Sequence, residues 1–174
     1  KVESAIIFFF NKALSYFNKS MDLNNKFPNT FFNMAIILNL LNKKKESIQF
    51  FKSYIELQPN NIEAYYSLAI SYREIGDIKM AEKTFLKAFK INPEYPYLKG
   101  QLQFIKNHLC DWVNYNETKK NIEQDITQNK KTITPWQALS VIDSPKLLKD
   151  NTMLFIDNKE FNNQNLIDKK KITL

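Results

Sequence analysis

Apolar residues recur at three- and four-residue spacing along the first half of the chain, which is typical of helices that bury one face. The pattern is clearest in four stretches: FFNMAIILNLL, ESIQFFKSYIEL, AYYSLAISYREI and KMAEKTFLKAFKI. Asn42 and Gly76 interrupt it within each pair of stretches, where a left-handed residue can end a helix. Pro59 and Pro93 close the pairs, because proline cannot continue a helix interior. The chain is thus predicted to form two helix pairs, at about 28–41 with 44–57 and 62–75 with 78–91.

The two pairs are copies of one unit, and the second copy begins where Ile62 takes the place of Pro28. When these two positions are aligned, aromatic and aliphatic positions keep their size class and small positions stay small. The matched positions are Phe31 with Tyr65, Met34 with Leu68, Ala35 with Ala69, Leu38 with Tyr72, Ser47 with Ala81, Phe51 with Phe85, Leu57 with Ile91 and Pro59 with Pro93. We expect the small residues to allow close helix crossing and Phe51 and Phe85 to fill the layer between units.

This combination of period, small residues, aromatics and terminal proline resembles the tetratricopeptide repeat, whose unit length is about 34 residues. The resemblance implies an all-α fold, a right-handed superhelix of stacked helix pairs that binds protein partners. We predict repeats over 1–108, as a partial unit at 1–27, full units at 28–61 and 62–95, and a half unit at 96–108. A helical extension is predicted at 109–156, with one long helix within 110–129, and a polar tail at 157–174.

The beginning of the chain departs from the repeat pattern. Ala13, Phe17 and Leu23 lie one repeat length before Ser47, Phe51 and Leu57, so Asn11 to Asn24 is predicted to be the second helix of a unit. The three phenylalanines at 8–10 occupy the expected turn before it. One long helix and a truncated repeat both remain open for this segment.

The amino-acid composition limits which classes of function the chain can have. The formal charge is +7, but Arg73 is the only arginine, and arginine is the preferred residue for bidentate contacts to phosphate and guanine. The lysines at 43–45 and 169–171 look scattered, so we expect a solvated lysine surface rather than a nucleic-acid site. The apolar run AIIFFF is too short to span a bilayer, so we expect a soluble, cytoplasmic chain without membrane partners.

The residues needed for catalysis or for a cofactor are missing from the sequence. His108 is the only histidine, which excludes a His-based metal cluster or a Ser-His-Asp triad. Cys110 has no cysteine partner and is expected to be a structural thiol in an apolar context. With two glycines in the chain, no Gly-rich phosphate loop can form. We therefore predict no enzyme activity and no cofactor for these residues, and we expect Trp112 and Trp136 to anchor a core.

The first helices of such units line the concave wall of a solenoid, which makes them the candidate binding surface. By repeat register the groove residues are Asn29, Phe32, Asn33, Ile36, Asn39, Leu40, Glu63, Tyr66, Ile70, Arg73, Glu74, Tyr97, Phe104 and Asn107. Ile36, Ile70 and Phe104 recur at one position of successive repeats, and such an apolar stripe with a polar edge is typical of an interface. The predicted occupant is a peptide, a protein, the chain's own tail or a second copy of the chain. The alternative is that neighbouring helices cover the stripe.

A finer resemblance concerns the residues after the second full unit. The stretch NPEYPYLKGQLQFIKNHLCDWVNYNE, with Cys110, Asp111, Trp112 and Tyr115, resembles the junction after the last repeat in the O-linked N-acetylglucosamine transferase family. TPWQALSVIDSPKLL is similar to the linker of SPINDLY-like relatives, and KKKITL resembles the entry to their nucleotide-sugar domain. The resemblance implies the repeat region of a UDP-sugar-dependent glycosyltransferase, with catalysis in a domain downstream. The family's asparagine ladder would fall on Asn33, Ser67 and Gln101. The alternative is a free-standing tetratricopeptide adaptor.

Overall fold

The computed structural model describes residues 2–22 and 27–156, and every regular element within these ranges is a helix. The predicted all-α class is therefore confirmed, whereas Leu23 and the predicted tail at 157–174 lie outside the described residues. The helices are α1 (Val2–Asp22), α2 (Pro28–Leu40), α3 (Lys44–Leu57), α4 (Ile62–Glu74), α5 (Ile78–Ile91), α6 (Leu98–His108), α7 (Tyr115–Thr127), α8 (Pro135–Ala138) and α9 (Pro145–Ile156).

The chain divides into two compact units, Lys1–Pro93 and Glu94–Leu174, which are described separately below. Helix α6, which the repeat register groups with the repeats, belongs to the second unit. In the first unit the four repeat helices begin and end within one residue of the predicted bounds. Asn42 and Gly76 adopt the left-handed conformation at the two turns, with φ of 59° and 81°.

The core of the first unit lies between the paired helices. Helix α2 packs on α3, α4 packs on both α3 and α5, and Ala35, Ala69 and Ala81 are buried at the crossings. Phe51 and Phe85 have no exposed surface, as their place in the repeat predicts. Since the alanines let the helices approach closely, the two rings can fill the space that remains between them.

Side chains at two inter-helix turns fix where the following helices begin. Asn61 Oδ1 accepts a hydrogen bond from the Ala64 amide at 2.9 Å, and Asp77 Oδ1 accepts one from the Met80 amide at 3.1 Å. Such caps satisfy amide donors that have no partner inside the helix. The open question at the start of the chain is also answered, because α1 is one continuous helix of 21 residues.

The helix predicted within 110–129 is present in the second unit, but it is shorter than that range. Helix α6 ends at His108, and α7 begins only at Tyr115. Cys110 and Asn114 have φ of 55° and 58°, and a left-handed residue interrupts the run of helical backbone. The core of this unit is formed by residues of α7, the loop after it, and α8 with its following turn, namely Ile122, Ile126, Ile133, Ala138, Val141 and Ile142.

Three residues that were expected to be sheltered are exposed, so those predictions were wrong. Cys110 lies on the surface, and the exposed fractions of Trp112 and Trp136 are 57% and 78%. Trp112 lies in the turn between two left-handed residues, where its ring meets that of Tyr115 edge-on but stays largely exposed. Trp136 lies on the short helix α8, whose next two residues, Gln137 and Ala138, take the buried side.

Candidate functional site

The candidate surface in the first unit is the side of α2 and α4 on which the predicted groove residues lie, and we name it the first-helix face. Ile36 and Ile70 occupy the same repeat position on the two helices, and both are half-buried. Asn29, Asn33 and Glu63 are exposed around them. The face therefore combines an accessible apolar centre with polar side chains at its edge, which is the usual anatomy of a binding surface.

Two aromatic rings on this face are held by the second helix of their own pair. The Phe32 ring lies edge-on to Phe51, with centroids 5.8 Å apart, and 5.1 Å from Tyr54. Tyr66 repeats the arrangement on Phe85 at 5.6 Å. Phe32 and Tyr66 are each half-buried, so part of each side chain stays accessible while the ring position is fixed.

Asn39 is engaged inside the first unit. Its Oδ1 accepts a hydrogen bond from Ser47 Oγ at 2.8 Å, and its Nδ2 donates to Ser71 Oγ at 2.9 Å. Ser47 and Ser71 are fully buried, on α3 and α4. The Asn39 amide thus links three helices, and we leave it out of the proposed binding surface.

An ion pair lies at the C-terminal end of the face. Lys44 Nζ and a carboxylate oxygen of Glu74 form an ion pair at 2.5 Å, which joins the start of α3 to the end of α4. Arg73 is half-buried, and Leu40 is exposed. Leu40 is therefore the exposed apolar residue at this end, and the charges of Lys44 and Glu74 neutralise each other.

The remaining predicted groove residues belong to the second unit. Tyr97 precedes α6 in a left-handed conformation, and its ring lies edge-on to Phe155 at 5.8 Å. Phe104 is half-buried with its ring 4.2 Å from that of His108, and Asn107 Oδ1 accepts a hydrogen bond from Gln103 Nε2 at 2.7 Å. These side chains have contacts within their own unit.

The three positions that would match an asparagine ladder differ in their surroundings. Asn33 is exposed and Ser67 is half-buried. Gln101 is buried, and its Oε1 accepts a hydrogen bond from Gln137 Nε2 at 3.1 Å. The first position alone thus presents an amide side chain fully to solvent.

An ion cluster in the second unit was not foreseen from the sequence. Lys99 Nζ lies 2.7 Å from Asp125 Oδ2 and 2.9 Å from Glu94 Oε1, and Lys130 contacts both carboxylates at 3.4 Å. Thr132 Oγ1 donates a further hydrogen bond to Asp125 at 3.2 Å. Lys99 and Asp125 are 26 residues apart, and no spacing rule connects them, so the sequence carried no signal for this pair.

The cluster shifts the pKa values of its members in the direction expected for paired charges. Burial raises the pKa of Asp125, but the hydrogen bond and charge of Lys99 outweigh it and hold the pKa below its ordinary value. The hydrogen bond from Lys99 likewise lowers the pKa of Glu94. Burial lowers the pKa of Lys99, but the two carboxylates raise it above the ordinary value. The charged forms are thus stabilised, as in a structural ion cluster.

Comparison with known proteins connects the first unit to a repeat family. Two family models described as tetratricopeptide repeat match at residues 28–61 and 50–83. Tetratricopeptide repeat protein 6 of Homo sapiens is 36% identical over 73 residues, which cover 40% of this chain and 14% of that protein. Superkiller protein 3 of Saccharomyces cerevisiae is 28% identical over 82 residues, covering 47% of this chain and 6% of that protein. The matches span only these small shares of the curated relatives.

A solved structure gives the same fold. MamA (residues 41 to the end) from Desulfovibrio magneticus RS-1 superposes with a TM-score of 0.59 at 18% identity, covering 67% of this chain and 66% of that one. At this identity the likeness concerns the fold, and it confirms the predicted α-α solenoid. None of these three proteins is described as a glycosyltransferase, so the finer resemblance gains no support from them. Within residues 2–22 and 27–156, every helix is too short or too polar for a membrane span. The chain therefore carries tetratricopeptide repeats, which the two family models place at residues 28–83.

Proposed function

We propose that the first unit binds a peptide segment of a partner protein on its first-helix face. The observation that carries this proposal is the pairing of Ile36 and Ile70, which occupy equivalent positions of the two repeats and both keep part of their side chain accessible. A polar residue at such a half-open position would be better solvated. Two isoleucines there are best explained by a ligand that covers them.

The side chains of the first-helix face indicate which kind of peptide would bind there. Apolar side chains of the peptide would pack on Ile36 and Ile70, beside the fixed rings of Phe32 and Tyr66. The exposed side-chain amide of Asn33 can donate to and accept from a peptide backbone, and Glu63 favours a basic residue on the ligand. Because the rings are held by Phe51 and Phe85, binding requires little ordering of the face, which favours affinity.

The test begins with a random peptide library displayed on phage and selected on the full 174-residue chain. Affinities of the selected peptides are measured by fluorescence anisotropy for the wild type and for Ile70→Ala and Asn33→Ala. The matched control is Leu57→Ala, which removes the same number of carbons from a residue of α3 that is 43% exposed. We expect Ile70→Ala to weaken binding by about tenfold, the effect of a residue at the centre of an interface. Equal affinities for Ile70→Ala and Leu57→Ala would contradict the proposal.

A second copy of the chain is another occupant that the sequence allowed. Light scattering across a concentration series distinguishes the two occupants. If the face binds a second copy, the chain dimerises, and Ile70→Ala shifts it to monomer. In the proposed function the chain stays monomeric, and Ile70→Ala acts on the peptide alone.

The finer prediction, that this region belongs to an O-linked N-acetylglucosamine transferase-like enzyme, stays a prediction. It depends on the residues around Cys110 to Tyr115, which form an exposed turn in which the Trp112 and Tyr115 rings meet edge-on at 5.5 Å. Its test is the coding sequence after Leu174. A nucleotide-sugar domain there would support it, and a stop codon would support the free-standing adaptor.

A further inference from the structure

Helix α5 presents a row of lysines on its exposed side. Lys79, Lys83, Lys87 and Lys90 are all exposed and follow each other at spacings of four, four and three residues, so they lie on one face of the helix. We name these four residues the lysine stripe. It is about 16 Å long at the rise of an α-helix. The opposite face of α5 is buried through Ala81, Thr84, Phe85 and Ala88.

The repeat fold does not require lysines at these positions. The equivalent residues of α3, one repeat earlier, are Lys45, Gln49, Ser53 and Glu56. That helix packs on its partner in the same way and carries one lysine and one glutamate in the row. The stripe is therefore a property of α5 and not of the repeat.

The lysines of the stripe are available for a ligand. Among the described residues, no ion pair involves Lys79, Lys83, Lys87 or Lys90. Lys87 Nζ lies over the ring of Tyr65 on α4, 5.8 Å from its centroid. Glu82, which is half-buried, is the one acidic residue of α5 and lies beside Lys83 in one shallow depression. The helix thus carries uncompensated positive charge along its outer side.

Leu86 gives the stripe an apolar centre. Its side chain is 42% exposed and lies between the lysines, where with Glu82, Lys83, Lys87 and Lys90 it lines a shallow depression of about 290 Å³. A phosphate backbone makes no use of an apolar side chain. A peptide that carries carboxylates around one apolar side chain matches both features, because it pairs the lysines and covers Leu86. The ligand class favoured here is an acidic peptide.

We propose that the outer face of α5 is a second docking surface, at which the lysine stripe binds an acidic segment of a partner protein whose apolar side chain covers Leu86. This surface is distinct from the first-helix face, since the residues of that face lie on α2 and α4 and the stripe lies on α5. The two surfaces can therefore bind different segments of one partner or two partners.

The probe is a fluorescein-labelled helical peptide with a row of glutamates at four-residue spacing around one leucine, and binding is followed by anisotropy on the full chain. The stripe variant is Lys83→Glu with Lys87→Glu. The matched control is Lys45→Glu with Lys52→Glu on α3, which changes the net charge equally; Lys52 also lies over a tyrosine ring, that of Tyr72, at 5.8 Å. We expect the stripe variant to lose about tenfold or more in affinity and the control to lose less than about threefold, at about 0.15 M salt where distant charges are screened.

Three further binding measurements distinguish the contributions of Leu86, of the glutamates and of negative charge in general. Leu86→Ala should lower the affinity for the peptide by about threefold, as expected when one exposed apolar contact is lost. A peptide with glutamine in place of glutamate should not bind measurably. Oligodeoxythymidine of the same length should bind more weakly than the acidic peptide. The proposal is overturned if the wild type does not bind the peptide, if both double variants lose affinity equally, or if the oligonucleotide binds as tightly and depends on the stripe. Ile70→Ala should leave this affinity unchanged, which separates this test from that of the first-helix face.

Discussion

The side chains of Asn39 and Ser71, 32 residues apart in the chain, are joined by a hydrogen bond of 2.9 Å that links the first helices of the two repeats. Ser47 completes the network from α3. A polar network of this kind favours one register of the helices, because a shift would break the side-chain hydrogen bonds that join Asn39 to the two serines.

Asn39→Ala should therefore lower the free energy of unfolding of the first unit. Both serines keep a backbone carbonyl partner, at Lys44 and Ser67, so the loss should be about 1 kcal/mol, the low end for an unmade buried hydrogen bond. Asn33→Ala, on an exposed residue of the same helix, is the control and should change stability by less than about 0.5 kcal/mol. Urea unfolding followed by circular dichroism measures both. Equal effects would show that the network contributes nothing.

Phe51→Ala and Phe85→Ala should each cost about 3–5 kcal/mol, because each ring is fully buried and its removal leaves a cavity. Phe9→Ala, on a ring of α1 that is 65% exposed, is the matched control. Thermal unfolding distinguishes them: large falls in melting temperature are expected for the two buried positions only. If either of the two substitutions cost only a few tenths of a kcal/mol, well below the usual range for large-to-small core changes, the packing described for the two rings between the repeat helices would be contradicted.

Gly100→Ala should destabilise the second unit. A Cβ at Gly100 would lie 2.7 Å from the Ile133 backbone, and the Gly100 amide donates to the Thr132 carbonyl at 2.9 Å, so the chain cannot easily move away. Overpacking of this kind costs about 1–3 kcal/mol. Lys106→Ala, at a half-buried position further along α6, is the comparison, since it changes the helix without adding volume near Ile133. Unchanged urea unfolding of Gly100→Ala would show that α6 and the Ile133 loop are not in close contact.

The stability of the second unit should fall in acid because of the Lys99 cluster. The pKa of Asp125 is lower in the folded chain than in the unfolded one, so its contribution is present above the ordinary carboxyl range of about pH 4 and is lost as the pH falls through the folded pKa. Asp125→Asn should flatten the dependence of the melting temperature on pH in this region. Asp143→Asn, which removes an exposed carboxylate paired with Lys119, is the control and should keep the wild-type dependence. Parallel curves for wild type and Asp125→Asn would contradict the role of the cluster.

The sequence predicted the repeat helices well because their signals are local and repeated. Periodicity and residue type alone predict the turns at Asn42 and Gly76 and the burial of Phe51 and Phe85. The proline after each pair marks where the second helix has ended. A second copy of the pattern, one repeat later in the chain, made the register unambiguous.

The helix predicted within 110–129 begins only at Tyr115 for a local reason. Cys110 and Asn114 are left-handed, residues 110–114 all have low helix propensity, and asparagine readily adopts the left-handed conformation. Trp112 and Trp136 were expected in a core because of their size, but the second unit fills its core with smaller residues such as Ile122 and Ile133. One signal for the hydrogen bonds of Asn39 was available in the sequence. Asn39, Ser47 and Ser71 are polar residues on three helices that the repeat fold brings together.

The most direct test of the binding account is a nuclear magnetic resonance titration of the isotope-labelled chain with a peptide selected as described above. If the account is correct, the largest shifts fall on the methyl groups of Ile36 and Ile70 and on the side-chain amides of Asn29 and Asn33, while the outer faces of α3 and α5 stay unchanged. Shifts confined to α5, to the exposed tryptophans of the second unit, or to no continuous surface would contradict the claim that the first-helix face is the peptide-binding site.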